Sequence, residues 1–244
     1  VMGEYGWAYS PELLEKYNLV NQGISAEMIA DKWDISRTEL DELGVRSHAR
    51  ALQATEEGRF EREMVPMTVG DETYMTDQGI RPGTSVETLA GLKPAFKEDG
   101  KITAGNASQV SDGAAAVMLM SREKADELGL KARARIVDTT TVGVDPVIML
   151  TGPIPATRKI LERNSMGIEA FASVVLAWEK ELKPDMDRVN VNGGAIAIGH
   201  PLGSTGARLM TSLLHEMERD DKEMGLVTMC CGGGVGTATL IERV

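Results

Sequence analysis

Residues 189–208 read VNVNGGAIAIGHPLGSTGAR, and residues 228–238, shortly downstream, read TMCCGGGVGTA. The first stretch holds His200, one of only three histidines, and the second holds Cys230 and Cys231, the only cysteines of the chain. Both reactive side chains sit among small residues, where a ligand can approach the backbone closely. An imidazole and a thiol in such surroundings point to proton transfer or nucleophilic chemistry. The same region alternates between strand and helix patterns. Val189–Asn192 reads as a strand, Thr205–Arg219 as a helix, and Gly225–Cys230 and Val235–Ile241 as strands. That alternation predicts a layered α/β domain.

Upstream, Pro155 to about Arg163 and Glu169–Leu182 carry helical periodicity, and Ala134–Val144 is strand-like. The apolar run Ala114–Met120 predicts another strand, followed by a helix capped by Ser121 and stopped at Gly129. Residues 1–99 differ in character, being rich in Glu, Asp, Arg and Met with little strand signal. Ser10 with Pro11 marks a helix start, and Ser25 is a candidate cap for a second helix running toward Trp33. Ser36 followed by Glu39 is a capping-box pattern opening a helix to about Glu57, ended by Gly58. A faint echo relates TAGNASQVSDGAAAVMLM to TMCCGGGVGTATLIE, each running from a threonine through small residues to an apolar strand.

The 244 residues carry 42% apolar residues, enough for a substantial core, and a formal net charge of −11. Phosphate binding needs concentrated Lys and Arg, so a nucleic-acid surface is not expected. Apolar runs stay well short of the roughly 20 residues that cross a bilayer, and the reading is of a soluble, cytoplasmic protein. Adjacent cysteines suit neither an ordinary disulfide framework nor a four-ligand zinc site, so no metal is expected. His48 and His215 fall in predicted helices among charged residues and read as solvated or packing side chains, while Met210 and Met217 read as core.

The segments TAGNASQVSDGAAAVML, VGVDP, GPIPATRK, EAFA, VNVNGGAIAIGHPLGSTGAR and TMCCGGGVGTA occur in this order. Together they resemble the thiolase family of acetyl-CoA acyltransferases. The resemblance implies a layered α/β/α/β/α fold built from two similar halves, with a helical loop domain over the coenzyme A site and a first half that is incomplete here. Residues 1–99 correspond to the loop domain, 100–131 to the end of the N-terminal half and 132–244 to the C-terminal half. The implied chemistry is cleavage of a 3-ketoacyl-CoA by coenzyme A, or the reverse Claisen condensation. Coenzyme A is then a substrate, no cofactor is tightly bound, and a homodimer or homotetramer is expected.

Residue by residue, the resemblance makes His200 the base that takes the proton from the nucleophile and then hydrogen-bonds the thioester oxygen. Cys230, rather than Cys231, matches the acid/base cysteine, since the pattern is a cysteine, one variable residue and three glycines. A thiol with an ordinary pKa near 8.5 serves there if its site lowers that value. The Gly232 N–H matches an oxyanion donor, and Ser108, with Ala104 and Gly105, matches the contact with the pantetheine arm. Two departures stand out. The family's attacking cysteine has no counterpart, and is expected from a preceding segment or a separate polypeptide. Ile168 stands where the family carries Asn or His before EAFA, after a stretch from Leu161 to Glu169 too short for the family's buried strand. Either a deletion removed that strand or, as the cost of unpaired ladder groups favours, residues are missing there and Ile168 does not hold the motif position. Glu169 reads equally as a helix N-terminal charge or a supporting acceptor, and Met2, Tyr5, Trp7 and Tyr9 as acyl-tunnel lining or core. The alternative function is a thiolase-like acyl-CoA-binding or partner subunit without full catalysis.

Overall fold

The computed structural model describes residues 9–166 and 176–244. Ser10 caps α1 (Pro11–Lys16), with its hydroxyl accepting from the Leu13 N–H and proline at the first helical position. The second helix, α2 (Gln22–Lys32), is capped by Asn21, whose Oδ1 accepts from the Gly23 N–H at 2.8 Å. The expectation of Ser25 as cap is therefore corrected. Asn21 reaches the first turn before it, and Ser25 is buried inside the helix. The capping box forms as the spacing predicts: Ser36 opens α3 (Arg37–Glu56) while Glu39 reaches back to the Ser36 N–H at 2.7 Å. That backbone donor, the Ser36 hydroxyl and Lys180 hold the Glu39 carboxyl down to about 2.

After Gly58, in the left-handed region at φ 69°, the chain forms an exposed antiparallel hairpin of β1 (Met67–Val69) and β2 (Glu72–Tyr74). A second capping box, Ser85 with Thr88, opens α4 (Val86–Ala90). Ser121 caps α5 (Arg122–Glu127), as expected. The run Ala114–Met120 is not a strand. A strand needs a ladder partner, and no described residue pairs with this run, which is exposed, Met118 at 79% and Leu119 at 67%.

The remaining elements are β3 (Ala134–Gly143), α6 (Pro153–Arg163), α7 (Leu176–Leu182), α8 (Ala195–Ile198), α9 (Thr205–Arg219), β4 (Met224–Cys231) and β5 (Val235–Arg243). Val189–Asn192 is a turn after a tight helical turn at Met186–Arg188, not a strand. Asn190 has φ 46°, and the Arg50 guanidinium holds the Met186 and Val189 carbonyls at 3.1 and 2.6 Å. Ile168, Glu169 and the EAFA motif lie outside the described residues, as do Met2, Tyr5 and Trp7.

Strands β3, β4 and β5 form one antiparallel sheet in the order β3-β5-β4. Strand alternation assigns its two faces. Leu226, Ala238 and Leu240 pack against Ala156, Ile160 and Leu161 of α6. Gly225, the neighbour of Leu226, faces α9 instead, and a Cβ there would come within 2.8 Å of Leu213 and Met217. A second core joins Ile154, Trp178 and Val189, where the Trp178 indole donates to Thr157 at 3.1 Å. Met217 is fully buried, as its helical spacing predicts.

Candidate active site

Helix α8 ends at Gly199 with φ 77° and ψ 172°, a conformation essentially restricted to glycine. A Cβ at Gly199 would also lie 2.2 Å from Ser111 Oγ. This bend delivers His200 to the loop before α9. The His200 N–H donates to the Gln109 carbonyl at 3.2 Å, and the Gln109 N–H donates to the Ala195 carbonyl at 3.3 Å. The Gln109 carboxamide also donates to the carbonyls of Gly79, Ile196 and Ala197 at 2.7, 2.8 and 3.2 Å. One side chain thus ties the 104–111 segment to the loop bearing the histidine. Its signal in sequence is slight: one of two carboxamides, with Asn106, in a run of small residues.

The His200 ring is half-buried, with Nδ1 2.7 Å from Thr205 Oγ1. Burial and, to a lesser degree, the Arg208 guanidinium hold its pKa below the ordinary histidine value, which favours the neutral ring. Arg208 in turn lies in the field of Asp77 and Glu63.

Cys230 is the penultimate residue of β4, paired in register with Gly236, while Cys231 pairs with Val235. Both thiols are free, Cys231 exposed and Cys230 half-buried. Between the strands, Gly233 and Gly234 turn through left-handed φ values of 77° and 81°. Gly234 also meets the neighbouring loop so closely that a Cβ would lie 2.6 Å from the Val144 carbonyl. These two glycines are therefore required by the turn. Gly232 is exposed, and a Cβ on it would lie 3.7 Å from the Tyr9 hydroxyl. Burial pushes the Cys230 thiol up from its ordinary value, so the condition of a lowered value is not met in this chain.

Helix α9 and β4 run antiparallel, so the start of the helix stands level with the end of the strand. A Cβ on Gly206 would lie 3.4 Å from the Met229 side chain, the residue before Cys230. His200 and Cys230 thus stand at the same end of this pair. Alternation directs Cys230 with Leu226 to the α6 face, and Met229 to the α9 face nearer His200.

Ala104 and Ser108 are exposed near the Gln109 clamp, whereas Gly105 is buried. A Cβ at Gly105 would come within 2.9 Å of Leu89 and Leu92, so its placement is that of a packing residue. The other two histidines also pack: His48 Nδ1 accepts from the Arg81 N–H at 3.1 Å, and His215 Nδ1 donates to the Thr211 carbonyl at 2.9 Å. A cavity of about 200 Å³ between α9, β4 and residues 187–193 includes neither His200 nor Cys230 in its walls. Among the described residues no group of three His, Cys, Asp or Glu side chains is placed to hold a metal ion.

The family descriptions "Thiolase, N-terminal domain" and "Thiolase, C-terminal domain" match residues 6–123 and 130–243. The chain belongs to the thiolase family. It is 48% identical to an acetyl-CoA acetyltransferase of Syntrophomonas wolfei, over 95% of this chain and 62% of that relative. It is 47% identical to the steroid 3-ketoacyl-CoA thiolase FadA6 of Mycobacterium tuberculosis, over 92% of this chain and 57% of the relative. The crystal structure of the Bacillus anthracis acetyl-CoA acetyltransferase superimposes with a TM-score of 0.87 at 44% identity, covering 92% of this chain and 60% of the other. The α/β fold of this thiolase chain is therefore that of the family. The chain spans about 60% of the length of the curated relatives it matches. Among the described residues no helix is long and apolar enough to cross a membrane.

Proposed function

We propose that this chain supplies the acid/base and oxyanion-stabilising parts of a thiolase-type acyltransferase acting on 3-ketoacyl-CoA and coenzyme A. The nucleophilic thiolate is assigned to another part of the assembled enzyme, since Cys230 matches the family's acid/base cysteine and Cys231 the variable residue that follows it. In thiolysis that thiolate attacks the C3 carbonyl of the 3-ketoacyl-CoA, and the C2–C3 bond breaks. The electron pair passes to the acetyl-CoA enolate, whose C2 takes the proton of the Cys230 thiol. Coenzyme A then gives up its thiol proton to the Cys230 thiolate and attacks the acyl-enzyme, releasing the shortened acyl-CoA. Condensation runs the same steps backwards. A thiol kept protonated by burial suits the donating step, and a neutral imidazole suits His200 as the base that generates the nucleophile.

Supporting this reading are the motif match of His200, Cys230 and Gly232 and the common level of His200 and Cys230 at one end of the α9–β4 pair, although alternation directs the Cys230 side chain to the α6 face. The exposed Gly232 amide is the proposed donor to the developing oxyanion. Exposed Ala104 and Ser108 flank the approach for the pantetheine arm, over which residues 1–99 form the loop domain, with 100–131 and 132–244 belonging to the two halves. Two free cysteines fit a reducing, cytoplasmic setting, and assembly as a homodimer or homotetramer belongs to the same proposal.

In the enzyme assembled with its nucleophile-bearing part, Cys230→Ser should lower thiolysis of acetoacetyl-CoA by about 10²-fold or more. Full retention of activity would remove Cys230 from the mechanism. A second reading, an acyl-CoA-binding or partner subunit without turnover, draws on Ile168, which offers no donor at the place where the family carries Asn or His. Coenzyme A binding with no turnover of any 3-ketoacyl-CoA by the assembled protein would select it.

A further inference from the structure

We infer that Thr205 fixes the tautomer of His200, so that the neutral ring carries its proton on Nδ1 and keeps Nε2 as the basic nitrogen. Thr205 is only 4% exposed, and its Oγ1 lies between two partners: His200 Nδ1 at 2.7 Å and the Pro201 carbonyl oxygen at 3.0 Å. A hydroxyl has one proton to donate. A carbonyl oxygen has none, so the contact with Pro201 is a hydrogen bond only if Thr205 donates to it. With that proton committed, Oγ1 has only lone pairs to offer the ring, and Nδ1 must be the donor. Turning the hydroxyl toward Nδ1 instead would set two oxygens face to face at 3.0 Å with no proton between them. Burial at this position also limits replacement of the lost bond by water.

The relay is anchored on both sides. The Pro201 carbonyl also accepts from the Ser204 and Thr205 N–H groups at 3.0 and 3.1 Å and from Ser204 Oγ at 3.1 Å, as the first turn of α9. The histidine backbone is held from the other side by Gln109 and by the conformation of Gly199. Thr205 is thus a positioning residue, acting on the proposed substrate only through His200. Its value for catalysis rests on the reading of His200 as the base, whereas the tautomer stands by itself. Nitrogen-15 spectra of this chain, labelled at its three histidines, test it directly at about pH 8, where imidazole is neutral. The His200 signals, assigned with His48→Gln and His215→Gln, should show a protonated Nδ1 and a bare Nε2. Thr205→Ser should preserve that pattern. Thr205→Val, which keeps the shape and removes the hydroxyl, should lower the Nδ1–H excess by roughly tenfold. A protonated Nε2 in the unmodified chain would overturn the inference even where the valine variant fails to fold, and so would an unchanged pattern in a folded Thr205→Val chain. In the assembled enzyme, the valine variant should lower kcat about tenfold with KM for coenzyme A unchanged, and serine should restore it. A shifted tautomer with unchanged kcat would leave the assignment standing and remove the base role of His200.

Discussion

At the scale of single residues, the proposed chemistry depends on two groups displaced in opposite senses by the same cause. Burial disfavours charge, so it lowers the His200 pKa and raises that of Cys230. The first remains a base and the second remains an acid at neutral pH. Because the imidazole stays neutral below the ordinary value, the acid limb of kcat/KM for the assembled enzyme should fall below about pH 6.5. A limb at or above that value, read from a pH–rate profile, would show that His200 is not the group whose protonation stops turnover. The glycine triplet divides at this scale too. Gly233 and Gly234 answer to the turn, leaving Gly232 as the open amide.

At the scale of elements, the helical region is joined to the site by buried polar anchors. Glu27 on α2 is 2% exposed, and its carboxylate accepts from the Lys101 N–H at 2.9 and 2.8 Å and from the Ile102 N–H at 2.8 Å. It thereby holds the strand-like entry to residues 103–111, which Gln109 then fastens to the His200 loop. A carboxamide would turn an N–H toward these donors. Glu27→Gln should therefore lower unfolding stability by about 1 to 3 kcal/mol, measured by urea titration, and a change within about 0.5 kcal/mol would refute the anchor. The capping box at Ser36 was legible, because it closes within three residues of its own cap, whereas the one at Ser85 uses Thr88 in place of the Glu or Gln that marks the pattern. Glu27 and Gln109 were not legible either, because their partners lie 75 and 87 residues away and nothing local marks them.

At the scale of the molecule, all three histidines have pKa values lowered primarily by burial. The unfolded chain therefore takes up protons first as pH falls below about 6.5, and each histidine makes the folded state lose stability on that descent. His48 offers a clean test, since its Nδ1 only accepts a hydrogen bond from the Arg81 N–H. His48→Gln keeps an acceptor without a titrating ring, so its stability should fall less than that of the unsubstituted chain between about pH 7.5 and 5.5. Parallel curves from chemical denaturation at the two pH values would contradict this. Glu63 and Asp77, with pKa values raised by desolvation, act in the opposite sense as pH rises through their own range, which is why the difference between the two chains is the quantity to measure.

The order of motifs, the alternation of strand and helix and the local caps were determined by the sequence itself, because each depends on side chains within a turn or a strand of one another. The run Ala114–Met120 shows the limit: its composition favours a strand, but a strand exists only beside a partner, and no described segment provides one. Tertiary structure alone decided that Gly105 packs while Gly232 stays open, that Cys230 is raised rather than lowered, and that Gln109 and Thr205 hold the histidine. These outcomes follow from burial and from hydrogen bonds between segments distant in the chain, neither of which a local pattern of residues can encode.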